Sequence, residues 1–235
     1  MRKILLGFIL LLNIAHAQEI YATFNVEALR DAKLVFISSG IVNKVNVDVG
    51  SYVKKGEVLA QLQNSDIKAM LDIAQTKLKY AKKDYERQVK IKDLIDEAKF
   101  DLVSSRYENA KNRLSYQKAL YNKTFLHAPF DGVIYEKDIE KGDGVSGMVL
   151  KTVFKIQSKS KRKLILSFDQ KNHKLIKLGD IFTYKVDGDT KTYKAKITKI
   201  YPHINTKNRK MKAETKANNI MSGLFGDGYI KVSGK

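Results

Sequence analysis

Few residues of this chain have the types and spacing to do chemistry. Gly142-Asp143-Gly144-Val145-Ser146-Gly147 fits the G-x-G-x-x-G string of a phosphate-cradling loop. Such a loop works only when it follows a strand and opens a helix whose free N–H groups face the phosphate. The residues around Gly142 supply neither that order nor a βαβ unit, so the string reads as a turn. His127, His173 and His203 lie far apart, with no H-x-x-x-H spacing and no paired carboxylates, and read as satisfied or solvent-facing side chains. Asp131, Asp143, Asp187 and Asp227 each precede Gly, which is turn chemistry rather than an acid pair. Cysteine is absent, which excludes a disulfide framework, a thiolate metal site, a cysteine nucleophile and a lipid-modified N-terminal Cys. The expectation is a protein that is not an enzyme, with no catalytic residues, no cofactor and no metal site.

The remaining signals are architectural. With 235 residues and 43% hydrophobic content, the chain can fill one large core or two to three small ones. Residues 1–17 read as an export signal. Arg2 and Lys3 form the charged start, Ile4 to Leu12 the apolar run, and Ala15-His16-Ala17 the cleavage pattern, with a retained N-terminal anchor as the alternative. No other segment approaches eighteen apolar residues, so the sequence predicts an exported soluble protein, periplasmic in a two-membrane bacterium.

Residues 66–123 contain no Gly and no Pro and are rich in helix formers. Apolar or small residues fall at Ile67, Leu71, Ala74, Leu78, Ala81 and Tyr85, then at Phe100, Val103, Tyr107, Ala110, Leu114, Gln117 and Tyr121. Alternating spacings of four and three place one narrow seam on each of two helices, which predicts an antiparallel coiled-coil hairpin. The pattern breaks around Lys92 to Asp96, where the chain must turn. A seam this narrow accommodates one partner helix and leaves no apolar face for packing on a globular core.

Both flanks read as β-structure. Gly40 to Val47 alternates, Gly50 and Gly56 punctuate, and Val58 to Leu62 follows; downstream, Phe125 to Ile134 holds an Asp-Gly turn before Gly142-Asp143-Gly144 and a strand over Val149 to Ile156. The helices therefore interrupt one β-module. From Lys163 onward Leu164 to Phe168, Ile181 to Val186, Thr192 to Tyr201 and Tyr229 to Val232 read as a small antiparallel barrel, with Gln170 to Lys177 as a helical candidate. The predicted division is an export signal over 1–17, an N-terminal strand and first half-module over 18–65, the hairpin over 66–123, the second half-module over 124–160, and a barrel over 161–235. The fold class is mainly β with an inserted α-helical hairpin.

These residues resemble the periplasmic adaptors, or membrane fusion proteins, of bacterial tripartite efflux pumps. Gly40-x-Val42-x-x-Val45-x-Val47-x-x-Gly50-x-x-Val53-x-x-Gly56-x-x-Leu59-x-x-Leu62 is similar to the first half of their lipoyl-like barrel-sandwich hybrid. Leu126-x-Ala128-Pro129-Phe130-Asp131-Gly132-x-Ile134 is similar to the start of the second half, and Leu178-Gly179-Asp180, Val186-Asp187-Gly188 and Ile197-x-x-Ile200-Tyr201-Pro202 to the barrel that follows. Family members usually carry a further membrane-proximal domain, which this comparison leads us to expect missing or reduced.

The resemblance implies an adaptor that bridges an inner-membrane transporter to a TolC-type outer-membrane channel and assembles as a ring, six copies by family likeness. Export of drugs or other toxic compounds follows, with a resistance-nodulation-division transporter as partner and an ABC-type exporter as the alternative. The family docks on the channel through an Arg, a Leu four positions on, and a Ser opening the second helix; Arg87, Ile91 and Asp96 occupy those places, with two residues fewer between Ile91 and Asp96. Lipoyl modules that carry a cofactor display a lysine at a short β-turn, which the helical insertion replaces here. A lipoyl or biotin carrier is thus the competing class, to be recognised by intact mass.

From Lys151 to the end, 21 basic residues stand against 6 acidic ones. This excess predicts attraction to anionic lipid headgroups or to acidic transporter loops, provided it is one-sided on the barrel. Nucleic acid is not an expected partner, because the lysines are scattered singly along strands rather than in blocks.

Overall fold

A computed structural model describes residues 18–232. The export signal read over 1–17 lies outside the described residues. The chain opens on β1 (Glu19–Ala28), β2 (Asp31–Leu34), β3 (Gly40–Val45), β4 (Tyr52–Val53) and β5 (Val58–Leu62). Two helices follow, α1 (Ser65–Val89) and α2 (Glu97–Asn122), with a 3-10 turn at Lys92–Leu94 between them. Then come β6 (Phe125–His127), β7 (Gly132–Lys137), β8 (Gly144–Val145), β9 (Phe154–Gln157) and β10 (Lys161–Asp169). The last strands are β11 (Ile181–Val186), β12 (Tyr193–Asn205), β13 (Lys210–Asn218) and β14 (Phe225–Lys231). The fold is mainly β with an inserted helical hairpin, as the sequence predicts, and it divides into two compact units, one of them Arg30–Lys159.

In that unit two four-stranded sheets, ordered β2-β9-β7-β4 and β6-β5-β3-β8, enclose Phe36, Leu59, Leu62, Ile134, Phe154 and Ile156. The two half-modules repeat one local device. Gly50 N–H donates to Ile134 C=O at 2.8 Å while Ile134 N–H donates to Ser51 C=O at 3.0 Å. In the other half Gly142 N–H donates to Val42 C=O at 2.9 Å and Val42 N–H to Asp143 C=O at 2.8 Å. Gly50 and Gly142 sit at φ of 88° and 97°, a backbone region that side chains with a Cβ rarely enter, so each turn depends on its glycine.

The hairpin is inserted between β5 and β6, which pair directly as neighbours with Gln61 opposite Phe125. At its base Asn64 Nδ2 donates to Thr124 Oγ1 at 2.8 Å, and that hydroxyl donates to Tyr121 C=O at 2.7 Å. Every seam position named from the sequence is buried or half-buried, Leu71, Ala74, Val103 and Gln117 most deeply. Tyr85 stacks on Tyr107 with ring centroids 5.0 Å apart and meets Phe100 at 5.9 Å. Each helix packs along the other, and no strand runs along either among the described residues. With 25 residues in α1, the hairpin is about 37 Å long at about 1.5 Å per residue.

The other unit is a closed six-stranded antiparallel barrel ordered β1-β10-β13-β12-β11-β14. Phe24, Phe182 and Tyr184 form its aromatic centre, with centroids 5.2 to 5.8 Å apart. Gly226 and Gly228 of β14 turn their bare faces toward these rings. A Cβ at Gly226 would fall 2.2 Å from Lys185 C=O and 2.8 Å from Phe24, and one at Gly228 2.2 Å from Thr183 C=O.

Three details differ from the sequence reading. The N-terminal strand, grouped there with the lipoyl-like half, pairs with β10 and β14 and closes the barrel. Its strict in-out alternation, buried at Ile20, Ala22, Phe24, Val26 and Ala28, suits a barrel wall. β13 was not anticipated, because its inward residues Met211, Ala213, Thr215 and Ala217 are mostly small and alternate with three Lys and Glu214. The helical candidate Gln170 to Lys177 is reduced to a 3-10 turn at Gln170–Asn172, capped by Asp169 accepting from Lys171 N–H at 2.9 Å.

Two outcomes follow. Gly228→Ala should destabilise the barrel by about 3 kcal/mol through overpacking against backbone that cannot withdraw, read as a lower urea midpoint by circular dichroism. Burial, then the bond its hydroxyl donates to Asp31 at 2.8 Å, pushes Tyr135 up to about 12. A raised folded value stabilises fully below the unfolded value near 10 and is lost as pH rises through about 12. Tyr135→Phe should therefore flatten the fall in urea midpoint between those pH values relative to the unsubstituted chain.

Candidate functional site

The turn between the helices brings together the three residues singled out in the sequence. α1 runs to Val89, and the chain then tightens, with Ile91 N–H donating to Gln88 C=O at 3.1 Å and Leu94 N–H to Ile91 C=O at 2.9 Å. Asp96 adopts extended backbone and caps α2, its Oδ1 accepting from Lys99 N–H at 3.3 Å. A carboxylate at a helix N-terminus satisfies one of the free N–H groups and complements the helix dipole. Lys92 Nζ sits 5.2 Å from the centre of the Phe100 ring, which folds the turn back onto α2.

Arg87 lies in the last turn of α1, its guanidinium 3.2 Å from Asp84 Oδ1 and 72% exposed. That single solvent-facing contact leaves most of the guanidinium donors for a partner. Ile91 is 42% exposed and Leu94 85% exposed. Leu94 was missed by sequence reasoning; the signal was available, since it lies in the break of the heptad pattern where no seam can cover it. Gln88, one turn below, has a buried side-chain oxygen with no hydrogen-bond partner among the described residues. The tip is therefore an apolar end with charged flanks. Such a surface sets the exposed apolar area of Ile91 and Leu94 beside the charges of Arg87 and Asp96.

The other sequence candidates are dispersed. Gly144 and Val145 form β8 against β3, and Gly147 N–H donates to Ser39 Oγ at 3.0 Å, so the glycine string is sheet and turn with no helix behind it. A Nδ1 contact links His127 to Gly56 C=O at 2.9 Å and His173 to Gln170 C=O at 3.0 Å, while His203 lies on β12. No group of three or more His, Cys, Asp or Glu that could hold a metal occurs among the described residues. No helix among them is long and apolar enough to cross a membrane.

The model of the CzcB-like barrel-sandwich hybrid domain matches residues 30–157. Over 172 residues the chain is 28% identical to an uncharacterized protein of Haemophilus influenzae, covering 72% of this chain and 44% of that one. Over 125 residues it is 34% identical to the cobalt-zinc-cadmium resistance protein CzcB of Cupriavidus metallidurans, covering 46% of this chain and 24% of that protein. The chain thus spans less than half the length of these relatives. Among solved structures, a MacA-MexA chimera carrying the Pseudomonas aeruginosa MexA α-hairpin superposes with a TM-score of 0.82 at 21% identity, over 92% of this chain and 82% of that one. MacA from Actinobacillus actinomycetemcomitans gives 0.72 at 20% identity, over 92% and 79%. At these identities the likeness is one of fold. By its barrel-sandwich hybrid over residues 30–157, the chain belongs to the CzcB-like barrel-sandwich hybrid family.

Proposed function

We propose that this chain is the adaptor subunit of a tripartite efflux pump, joining an inner-membrane transporter to a TolC-type outer-membrane channel in the periplasm. The observation that carries this reading is the self-contained hairpin. Its apolar seam is consumed by helix pairing, while its tip leaves Arg87, Ile91 and Leu94 exposed. The tip supplies the contact with the channel: Ile91 and Leu94 bury against a helical bundle, Arg87 donates to its carbonyls or carboxylates, and Asp96 holds the second helix in register. Copies of the chain form the ring around the conduit. The chain itself does no chemistry, and the transporter supplies the energy, by proton flux in a resistance-nodulation-division system or by ATP in an ABC-type exporter.

The cargo is a toxic compound, with divalent metal ions favoured among them by the 34% identity to a cobalt-zinc-cadmium resistance protein. On the barrel, the hairpin of β12 and β13 spanning residues 193–218 holds eight Lys and Arg against Glu214 alone. That one-sided charge supports attraction to an anionic surface, headgroups included, over a range set by the Debye length of about 8 Å at physiological salt.

Export in a host lacking its own copy tests the reading. Arg87→Asp combined with Leu94→Asp should reduce tolerance of a pump substrate, zinc first, to the level of the empty host, with an unchanged circular dichroism spectrum. A photo-crosslinker at Ile91 should capture the outer-membrane channel. Full tolerance in the double variant would remove the docking role of the tip.

A further inference from the structure

The two ends of the barrel differ in charge. Strand register brings the start of β1, the close of β10, the start of β11, the turn from β12 to β13 and the close of β14 to one end. Lys210 pairs with Asp169 and Asn205, and Lys231 with Glu19 and Ile181. The loop after β10, residues 170–180, folds against the β12–β13 turn, with Gln170 N–H donating to Arg209 C=O at 3.1 Å. It adds Lys171, Lys174 and Lys177 to the turn's Lys207, Arg209 and Lys210, all exposed and none in an ion pair among the described residues. Of the carboxylates at this end, Asp169 accepts from Lys171 N–H at 2.9 Å and Asp180 from Lys177 N–H at 2.7 Å, which leaves Glu19 at the strand edge. The turns at the other end, residues 187–192 and 219–224, hold Asp187 and Asp189 against Lys191.

Apolar side chains stand among these cations. Ile176 is buried in the barrel core and seats the loop, whereas Leu175 and Leu178 face solvent, Leu178 at 66% exposure. Asp180 holds Lys177 N–H, and Gly179 N–H donates to Ile197 C=O at 2.9 Å, so Leu178 is displayed from a fixed frame. The apolar run Ile4 to Leu12 leads into β1 at this same end, with a reach to Gln18 of at most about 20 Å at about 3.3 Å per residue. Leucines ringed by lysines and arginine suit an anionic lipid surface: ammonium and guanidinium groups meet the phosphates, their stems cover apolar area, and the leucines enter the boundary with the acyl chains. We propose that this end of the barrel rests on an anionic phospholipid surface, with Leu175 and Leu178 inserted and Lys174, Lys177, Lys207 and Arg209 on the headgroups. An acidic protein loop would satisfy the cations alone; the lipid boundary satisfies the cations and the leucines together. This deepens the attraction of the barrel to an anionic surface, on which it rests, by naming the end that makes contact and the side chains that enter.

Co-sedimentation of the chain from Gln18 onward with phosphatidylglycerol vesicles tests it. At about 0.1 M salt binding should be seen that weakens at least about tenfold at about 1 M and is absent with phosphatidylcholine. Lys174→Gln with Lys207→Gln and Arg209→Gln should weaken it about 100-fold, since each cation near such a surface contributes about fivefold. Lys185→Gln with Lys194→Gln and Lys216→Gln removes the same charge from the barrel wall and should change binding less than about threefold. The chain has no Trp, so Leu178→Trp supplies a single indole emitter, whose fluorescence should shift to the blue on phosphatidylglycerol vesicles and stay unshifted with phosphatidylcholine. Vesicle binding with an unshifted spectrum would overturn the insertion. Binding kept in the end variant and lost in the wall variant would overturn this end while leaving the barrel its attraction to anionic surfaces; no binding to phosphatidylglycerol would overturn both. The tip variant Arg87→Asp with Leu94→Asp should bind vesicles as the unsubstituted chain does, so the lipid contact and the docking role of the tip stand or fall separately.

Discussion

The narrowness of the helical seam is the constraint from which the other properties of the inserted hairpin follow. Each helix has one seam, set by a 3.5-residue repeat, whose positions are buried or half-buried against the partner helix, while Met70, Ile73 and Tyr80 of α1 lie off the seam and stay exposed. Magnitudes decide what holds the pair together. The ion pairs Lys68–Asp72, Lys82–Glu86, Asp84–Arg87 and Glu108–Lys111 are exposed and intrahelical, worth about 0.3–0.5 kcal/mol each. Burial of side chains such as Leu71 and Val103 contributes about 1.5–3 kcal/mol apiece, and the Tyr85 ring contacts about 0.5–1.5 more. The seam dominates, and it says nothing to the strands. Two helices with wider stripes would have folded back onto a sheet.

The sheet determines where the hairpin can leave. β5 and β6 are hydrogen-bonded neighbours, about 4.8 Å apart, whereas paired helices stand about 8–10 Å apart. The junction must splay, and the polar groups at it carry that geometry: Asn64 reaches Thr124, and Thr124 reaches back to Tyr121. Beneath it the two glycine turns lock each half-module to the other, Gly50 to Ile134 and Gly142 to Val42. An insertion at this connection leaves the sandwich core intact, because both ends return to adjacent strands.

How much of this was legible in the sequence depends on which residues carry the signal. Period and punctuation were readable: the seam positions, the turn near Lys92 and the glycines that end strands stand in the chain in plain order. Asp96 as a helix cap was readable for the same reason, since capping is a local property of residue type. Leu94 was hidden because seam reasoning searches for what is covered, and its importance is that nothing covers it. β13 was hidden because its core contribution beyond Met211 is Ala213, Thr215 and Ala217, too small or too polar to mark an apolar face. The placement of β1 was hidden for a different reason. Its alternation fixes which side faces a core, but which core is a matter of partners more than 120 residues away.

Long-range pairing also governs the barrel's charge, which no count along the chain can locate. Alternation along β12 and β13 assigns Ile197, Met211 and Ala213 to the interior, so Lys194, Lys196 and Lys212 have only the outside to occupy. A one-residue slip in β12 would drive the ammonium groups of Lys194 and Lys196 inward and expose Ile197, a cost of several kcal/mol per buried charge. The fold therefore enforces the asymmetry. With register fixed by the core, the closure that brings β14 against β1 assembles Tyr21, Tyr229, Asp227 and Phe225 from opposite ends of the chain. Packing inside the barrel and electrostatic character outside it are two consequences of one strand order.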